Sequence, residues 1–216
     1  MKKAVKRVIT SLTVFFITLF TLQVVFAGTF GDVVPGDWYY DAVEQLAVDG
    51  VFDAKDQFRP NDTVNRAELV KIVMLAIDGM RNFEAPEAPT FKDVPKDAWY
   101  YDYVEAAVSF DVIDGYADKN GNPTGYFGPG DKVTRSQAAK ILVEAFAYPD
   151  NLNIIFSFAD VNRGDWFYEY VTTAYNYHLF DGYGNGYFGP NDNITRAQMA
   201  KVTFQGMKEA EVRFSK

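Results

Sequence analysis

Apolar and polar positions from residue 165 to residue 207 alternate in two helical stretches with a long loop between them. Trp166, Phe167, Tyr170, Val171, Ala174, Tyr175 and His178-Leu179 recur at spacings of three and four. That spacing predicts an amphipathic helix starting near Trp166, capped by the Asp165 carboxylate and ending before Asp181-Gly182, with His178 on its inward face. The run Gly182-Tyr183-Gly184-Asn185-Gly186-Tyr187-Phe188-Gly189-Pro190 can continue neither helix. Thr195-Arg196-Ala197-Gln198 then forms a capping box, in which the hydroxyl takes one orphan amide and the glutamine returns to the amide of the cap. Met199, Val202, Thr203, Gly206 and Met207 carry the apolar stripe of the second helix.

The same arrangement occurs twice upstream, with helices expected near 37–48 and 66–78, and near 97–110 and 135–147. Phe30-x-Asp32-Val33, Phe91-x-Asp93-Val94 and Phe158-x-Asp160-Val161 each precede a tryptophan with an aromatic neighbour: Trp38-Tyr39, Trp99-Tyr100 and Trp166-Phe167. Each block closes on Asn65-Arg66-Ala67-Glu68, Thr134-Arg135-Ser136-Gln137 or Thr195-Arg196-Ala197-Gln198. A unit this short buries little apolar surface alone, so the three are expected to pack on one another as a single all-α body of tandem helix–loop–helix repeats. The linkers, 78–89 and 148–154, are short and lack Gly/Ser runs, which suits ordered connections. The organisation expected is a leader over 1–27 and repeats over 28–84, 85–152 and 153–216, the last with a short tail.

Composition changes the picture in three ways. Lys2, Lys3, Lys6 and Arg7 precede an apolar run, and Val25-Phe26-Ala27 offers a small-residue cleavage site before Gly28, as in a secretory signal peptide. The apolar stretch over 8–27 is also about long enough to remain as a membrane anchor, the one route by which membrane contact is expected. Removing the leader takes four of the 21 basic residues and none of the 29 acidic ones, which leaves 17 against 29, or −12. Such a surface disfavours nucleic acid and anionic lipid as partners. The chain has no cysteine, so an exported form is held by its core, for which 48 % hydrophobic residues suffice.

The three ordered copies of Phe-x-Asp-Val, Trp-aromatic, a Gly-Tyr loop closing on Phe-x-Pro, and Thr-Arg-Ala-Glu resemble the S-layer homology repeat of bacterial cell-surface proteins, over about 30–78, 91–147 and 158–209. The resemblance implies a pseudo-threefold, three-pronged unit with one helix of each repeat in a central bundle. It also implies a secreted protein at the cell wall or S-layer that attaches non-covalently, through grooves between repeats, to a wall polysaccharide. That ligand is a secondary polymer carrying pyruvate ketals or a peptidoglycan-linked glycan. An S-layer or envelope protein is the further partner it suggests. Carried over by motif, the glycan-binding candidates are Arg66, Arg135 and Arg196 with Thr134 and Thr195, Trp38, Trp99 and Trp166, Asp32, Asp93 and Asp160, and Gly115 and Gly182. An arginine suits a sugar carboxylate because its planar fork donates two parallel hydrogen bonds, and the helix start already favours an anion. Repeat one departs from the pattern: Asn65 replaces threonine, and its short loop lacks the Gly-Tyr of Gly115-Tyr116 and Gly182-Tyr183. Its groove is therefore expected to contribute least, and Arg135 and Arg196 most.

Plainer roles stand beside these. The Thr/Asn and Glu/Gln positions are accounted for by capping alone. The tryptophans suit core or inter-repeat packing as well as sugar stacking, and the three aspartates suit loop bracing as well as hydroxyl recognition. His178 is the only histidine and is expected to be packed; one histidine builds no metal site of the usual kind. Asp118-Lys119-Asn120-Gly121-Asn122 spaces oxygen side chains as a calcium loop does, but lacks its sixth-position glycine and has Pro129 where the twelfth-position acid belongs. No metal, cofactor or catalytic constellation is expected. Everything notable occurs three times, whereas a catalytic centre is one asymmetric set. The alternative function is a helical-repeat scaffold for a protein partner at the envelope.

Overall fold

The computed structural model describes residues 28–54, 57–149 and 158–214. The leader and most of the second linker lie outside them. Among the described residues there are six helices and no strand beyond isolated bridges. They are α1 Tyr40–Val48, α2 Arg66–Ala76, α3 Tyr101–Ser109, α4 Arg135–Ala145, α5 Tyr168–Asn176 and α6 Arg196–Phe214. None is long and apolar enough to cross a membrane.

The second helix of every repeat starts at its arginine, as the capping boxes require. Asn65 accepts from the Glu68 amide and Glu68 from that of Asn65, and the pairs Thr134–Gln137 and Thr195–Gln198 do the same. α2 and α4 stop two residues short of the expected ends, as Asp78 (φ 55°) and Ala147 (φ 48°) leave the right-handed region.

The first helices start two to four residues later than the apolar pattern suggested. Tyr40, Tyr101 and Tyr168 donate to the carbonyls of Asp37, Ala98 and Asp165, three residues back, so a tight turn precedes each helix and holds the tryptophan. Asp165 is not the cap expected of it. Its Oδ2 accepts from the Asn162 amide at 2.7 Å, bracing the turn, and the residue before α5, Phe167, makes no side-chain cap. His178 is also displaced from its expected place: it lies exposed in the turn after α5, at φ 56°.

Packing crosses the repeat boundaries in a closed cycle. α2 packs on α3, α4 on α5 and α6 on α1, so each second helix pairs with the first helix of the following repeat. α2, α4 and α6 also meet one another as the central bundle. Near the pseudo-threefold axis Val64 N donates to Ile194 O (3.1 Å), Ile194 N to Val133 O (2.9 Å) and Val133 N to Val64 O (3.1 Å). These three residues have no exposed surface. Phe58, Phe127 and Phe188, also wholly buried, each pack against the phenylalanine that opens their own repeat, at 5.4, 5.7 and 5.4 Å between ring centroids. No repeat could form this core alone, because its partners come from its neighbours.

Candidate functional site

The triplicated aspartates fasten the loops. Asp32 accepts from the amides of Phe58 and Arg59, Asp93 from Phe127 and Gly128, and Asp160 from Phe188 and Gly189, all between 2.6 and 2.8 Å. Both oxygens of each carboxylate are so engaged, which gives these residues a bracing role. Gly115 and Gly182 are sites of close approach. A Cβ there would lie 2.4 Å from a ring carbon of Phe91 or Phe158 and 2.9 Å from the carbonyl of Tyr126 or Tyr187.

The arginines tie neighbouring repeats together. Arg66 Nε donates to Phe127 O (2.7 Å), Arg135 Nε to Phe188 O (2.9 Å) and Arg196 Nε to Phe58 O (2.7 Å), so each repeat holds the next and the third holds the first. Their backbone amides follow the same cycle, onto the carbonyls of Asp131, Asp192 and Asp62. Arg135 also donates through Nη2 to Asp181 O at 2.9 Å. Each guanidinium lies over the buried phenylalanine whose carbonyl it binds, at 4.7, 4.7 and 4.8 Å. Burial pulls all three pKa values down, and nearby acidic groups pull them partly back up. An arginine starts high enough to remain charged regardless.

Three more triplicated features complete the surface. Five residues after each arginine stands a lysine, and Lys71, Lys140 and Lys201 pair with Asp53 (2.7 Å), Asp114 (3.5 Å) and Asp181 (3.2 Å). The register of these lysines was readable in the sequence, but their pairing was not. The tryptophans are exposed, at 60, 57 and 58 %, each edge-on to the aromatic beside it. That exposure excludes packing in the core. Tyr116 and Tyr183 lie over Arg66 and Arg135; burial, then a hydrogen bond to Asp131 or Asp192, raises each phenol above its ordinary pKa.

These side chains meet in grooves to which all three repeats contribute. A cavity of about 840 Å³ in repeat one is lined by Asp53, Arg59, Glu68 and Lys71, with Trp99 from repeat two and Arg196 from repeat three. A second, of about 150 Å³, lies in repeat three, where Asp181, Tyr183 and Lys201 meet Trp38 from repeat one and Arg135 from repeat two. The larger of these two cavities lies in the repeat with the short loop. Among the described residues no cluster of metal-ligating side chains occurs. In the calcium-like loop, Asp118 turns inward onto the amides of Asn120 and Asn122.

A cyclic module of three helix–loop–helix repeats, with a cation of one repeat, a lysine of the next and a tryptophan of the third around a shared groove, is the class defined by this geometry. The chain belongs to the S-layer homology domain family, whose sequence model matches residues 29–70, 90–139 and 157–200. It is 34 % identical over 168 residues to the surface-layer 125 kDa protein of Lysinibacillus sphaericus, a match covering 75 % of this chain and 13 % of that protein. It is 32 % identical over 92 residues to the cellulosome-anchoring protein of Acetivibrio thermocellus, covering 41 % of this chain and 21 % of that one. It is also 29 % identical over 185 residues to the amylopullulanase of Thermoanaerobacterium thermosulfurigenes, covering 82 % and 9 %. The chain therefore spans only a small part of the relatives it matches.

Proposed function

We propose that this chain is a cell-surface module that attaches non-covalently to an acidic cell-wall glycan through its inter-repeat grooves. The observation that carries the reading is the meeting of Arg196, Lys71 and Trp99, one from each repeat, around a single cavity. The background charge repels anions, but in this lining Arg59, Lys71 and Arg196 outnumber Asp53 and Glu68, a local positive excess beside an exposed indole that suits a carboxylate-bearing sugar. The indole offers a flat apolar face to sugar C–H groups, while arginine and lysine address the carboxylate. A secondary wall polysaccharide with pyruvate ketals, or a peptidoglycan-linked polymer, fits this chemistry, and binding it requires no bond to be made or broken. Family membership supports surface attachment, as do relatives named as a surface-layer protein and a cellulosome-anchoring protein. The location that follows is the wall or S-layer, after export.

Sedimentation with purified wall sacculi tests the reading. Retention is expected on intact sacculi and should disappear once acid extraction strips the secondary polymer. Equal retention on stripped sacculi would overturn the glycan assignment. Recovery of an envelope protein with no retention on sacculi would favour the scaffold alternative.

A further inference from the structure

The grooves differ through one coupled exchange in their loops. In repeats two and three the rings of Tyr116 and Tyr183 cover Arg66 and Arg135, 4.6 and 4.7 Å from centroid to guanidinium carbon. Each phenol donates to a carboxylate, Asp131 or Asp192, at 2.8 Å, which latches the ring in place. Gly128 and Gly189 make room for it. Both are left-handed (φ 72° and 71°), and a Cβ on them would lie 2.6 and 2.4 Å from Cε2 of the covering tyrosine.

Repeat one keeps the turn and the carboxylate of this device but not the ring or the glycine. Its loop has no tyrosine, and Arg59 occupies the glycine position in the same left-handed conformation, φ 59°. That backbone state is unfavourable for a residue bearing a Cβ, and such strain gathers at functional sites. Asp62, the counterpart of Asp131 and Asp192, lies 3.5 Å from Arg59 Nη1, and both side chains are more than half exposed (58 and 56 %). Without a tyrosine over it, Arg196 is only half-buried, whereas Arg66 and Arg135 are buried. The groove of repeat one, about 840 Å³, falls in the range of roughly 300–1,000 Å³ that ligand pockets occupy; that of repeat three, about 150 Å³, falls below it.

We propose that the repeat-one groove is the principal glycan site, that Arg59 is a ligand-binding residue in it beside Lys71 and Arg196, and that Tyr116 and Tyr183 are lids closing the other two arginines. The ligand is an acidic glycan segment. Arg59 lines the groove, and its salt bridge to Asp62 is weak enough, being exposed, to exchange for a sugar carboxylate. The proposal rests on the glycan-binding reading above.

Titration calorimetry with single repeating units of acid-released wall polysaccharide tests it. The protein should take up one unit per chain. Trp99→Ala and Arg59→Gln should each weaken binding about tenfold or more, the scale of one lost aromatic or charge-assisted contact, while Trp38→Ala stays within about twofold. All three positions are exposed, so folding is not at issue. Tyr183→Ala, which unlatches the groove of repeat three, should raise the number of sites to two. Equal weakening by Trp38→Ala and Trp99→Ala, unchanged affinity in Arg59→Gln, or an unchanged site number in Tyr183→Ala would overturn the groove assignment while the glycan reading stands. Absence of any uptake by the unsubstituted protein would overturn the glycan reading itself.

Discussion

Replacing Arg135 with alanine removes more from this protein than a binding group. The guanidinium donates to two main-chain carbonyls of the neighbouring repeat, Phe188 O and Asp181 O, both at 2.9 Å. It also lies over the rings of Phe180, Tyr183 and Phe188, within 5.4 Å of each centroid. Hydrogen bonds with a charged donor are worth roughly 1.5–3 kcal/mol each, and a desolvated cation–π contact adds about 2 kcal/mol. Against this stands the cost of keeping a guanidinium out of water, several kcal/mol in real proteins. The balance, together with the void left behind, predicts a loss of about 3 kcal/mol, or ~6–12 °C in melting temperature for a domain of this size. Urea unfolding followed by circular dichroism measures it. Lys201→Ala serves as the control: its pair with Asp181 is half exposed and should cost about 0.5 kcal/mol or less. A cost for Arg135→Ala no larger than the control would refute the idea that these arginines hold the repeats together. The arginines are therefore poor probes of binding, because their removal disturbs the groove and the fold at once.

Other consequences are as direct. Asp160→Ala leaves the amides of Phe188 and Gly189 without their acceptor and should cost about 2–4 kcal/mol by the same denaturation assay. Gly182→Ala drives a methyl group to within 2.4 Å of the Phe158 ring and should destabilise by about 1–3 kcal/mol through overpacking. Thr134→Ala breaks one capping box and should cost about 1 kcal/mol, visible as a lowered urea midpoint with an unchanged slope. The raised phenols of Tyr116 and Tyr183 favour the neutral form in the folded state. Their stabilising contribution is thus complete below the ordinary tyrosine pKa of about 10 and is lost as pH climbs through the raised folded values. Ultraviolet titration should find these two ionising after exposed tyrosines, with no change in stability from them near neutral pH; early ionisation of both would contradict the latch.

Periodicity and capping chemistry made the helical repeat legible, because a Thr-x-x-Gln box and a three–four apolar stripe are local signals that tertiary packing here reinforces. The first helices were extended too far toward the amino end. The tryptophans continue the apolar spacing into a turn that is not helical, and they face solvent rather than the core. The site was half legible. Arg66, Arg135 and Arg196 stood out as repeated cations at helix starts that favour an anion, but their neighbours in space come from other repeats, and no spacing along the chain reveals that Phe127, Phe188 and Phe58 carbonyls wait there. The openness of the repeat-one groove was not legible for a physical reason. A shorter, departing loop reads as a degraded copy, yet what it lacks is the tyrosine that covers the arginine elsewhere. Lys71, Lys140 and Lys201 were within reach of the sequence, since they repeat in register five positions after each arginine.

The chain holds three tryptophans, one in each repeat and all exposed, so their indole N–H resonances report groove by groove. Titrating isotope-labelled protein with single repeating units of acid-released wall polysaccharide, and following those three signals by NMR, tests the central claim most directly. The account predicts that the Trp99 signal moves saturably while those of Trp38 and Trp166 hold still. Three signals unmoved at saturating polysaccharide would contradict it.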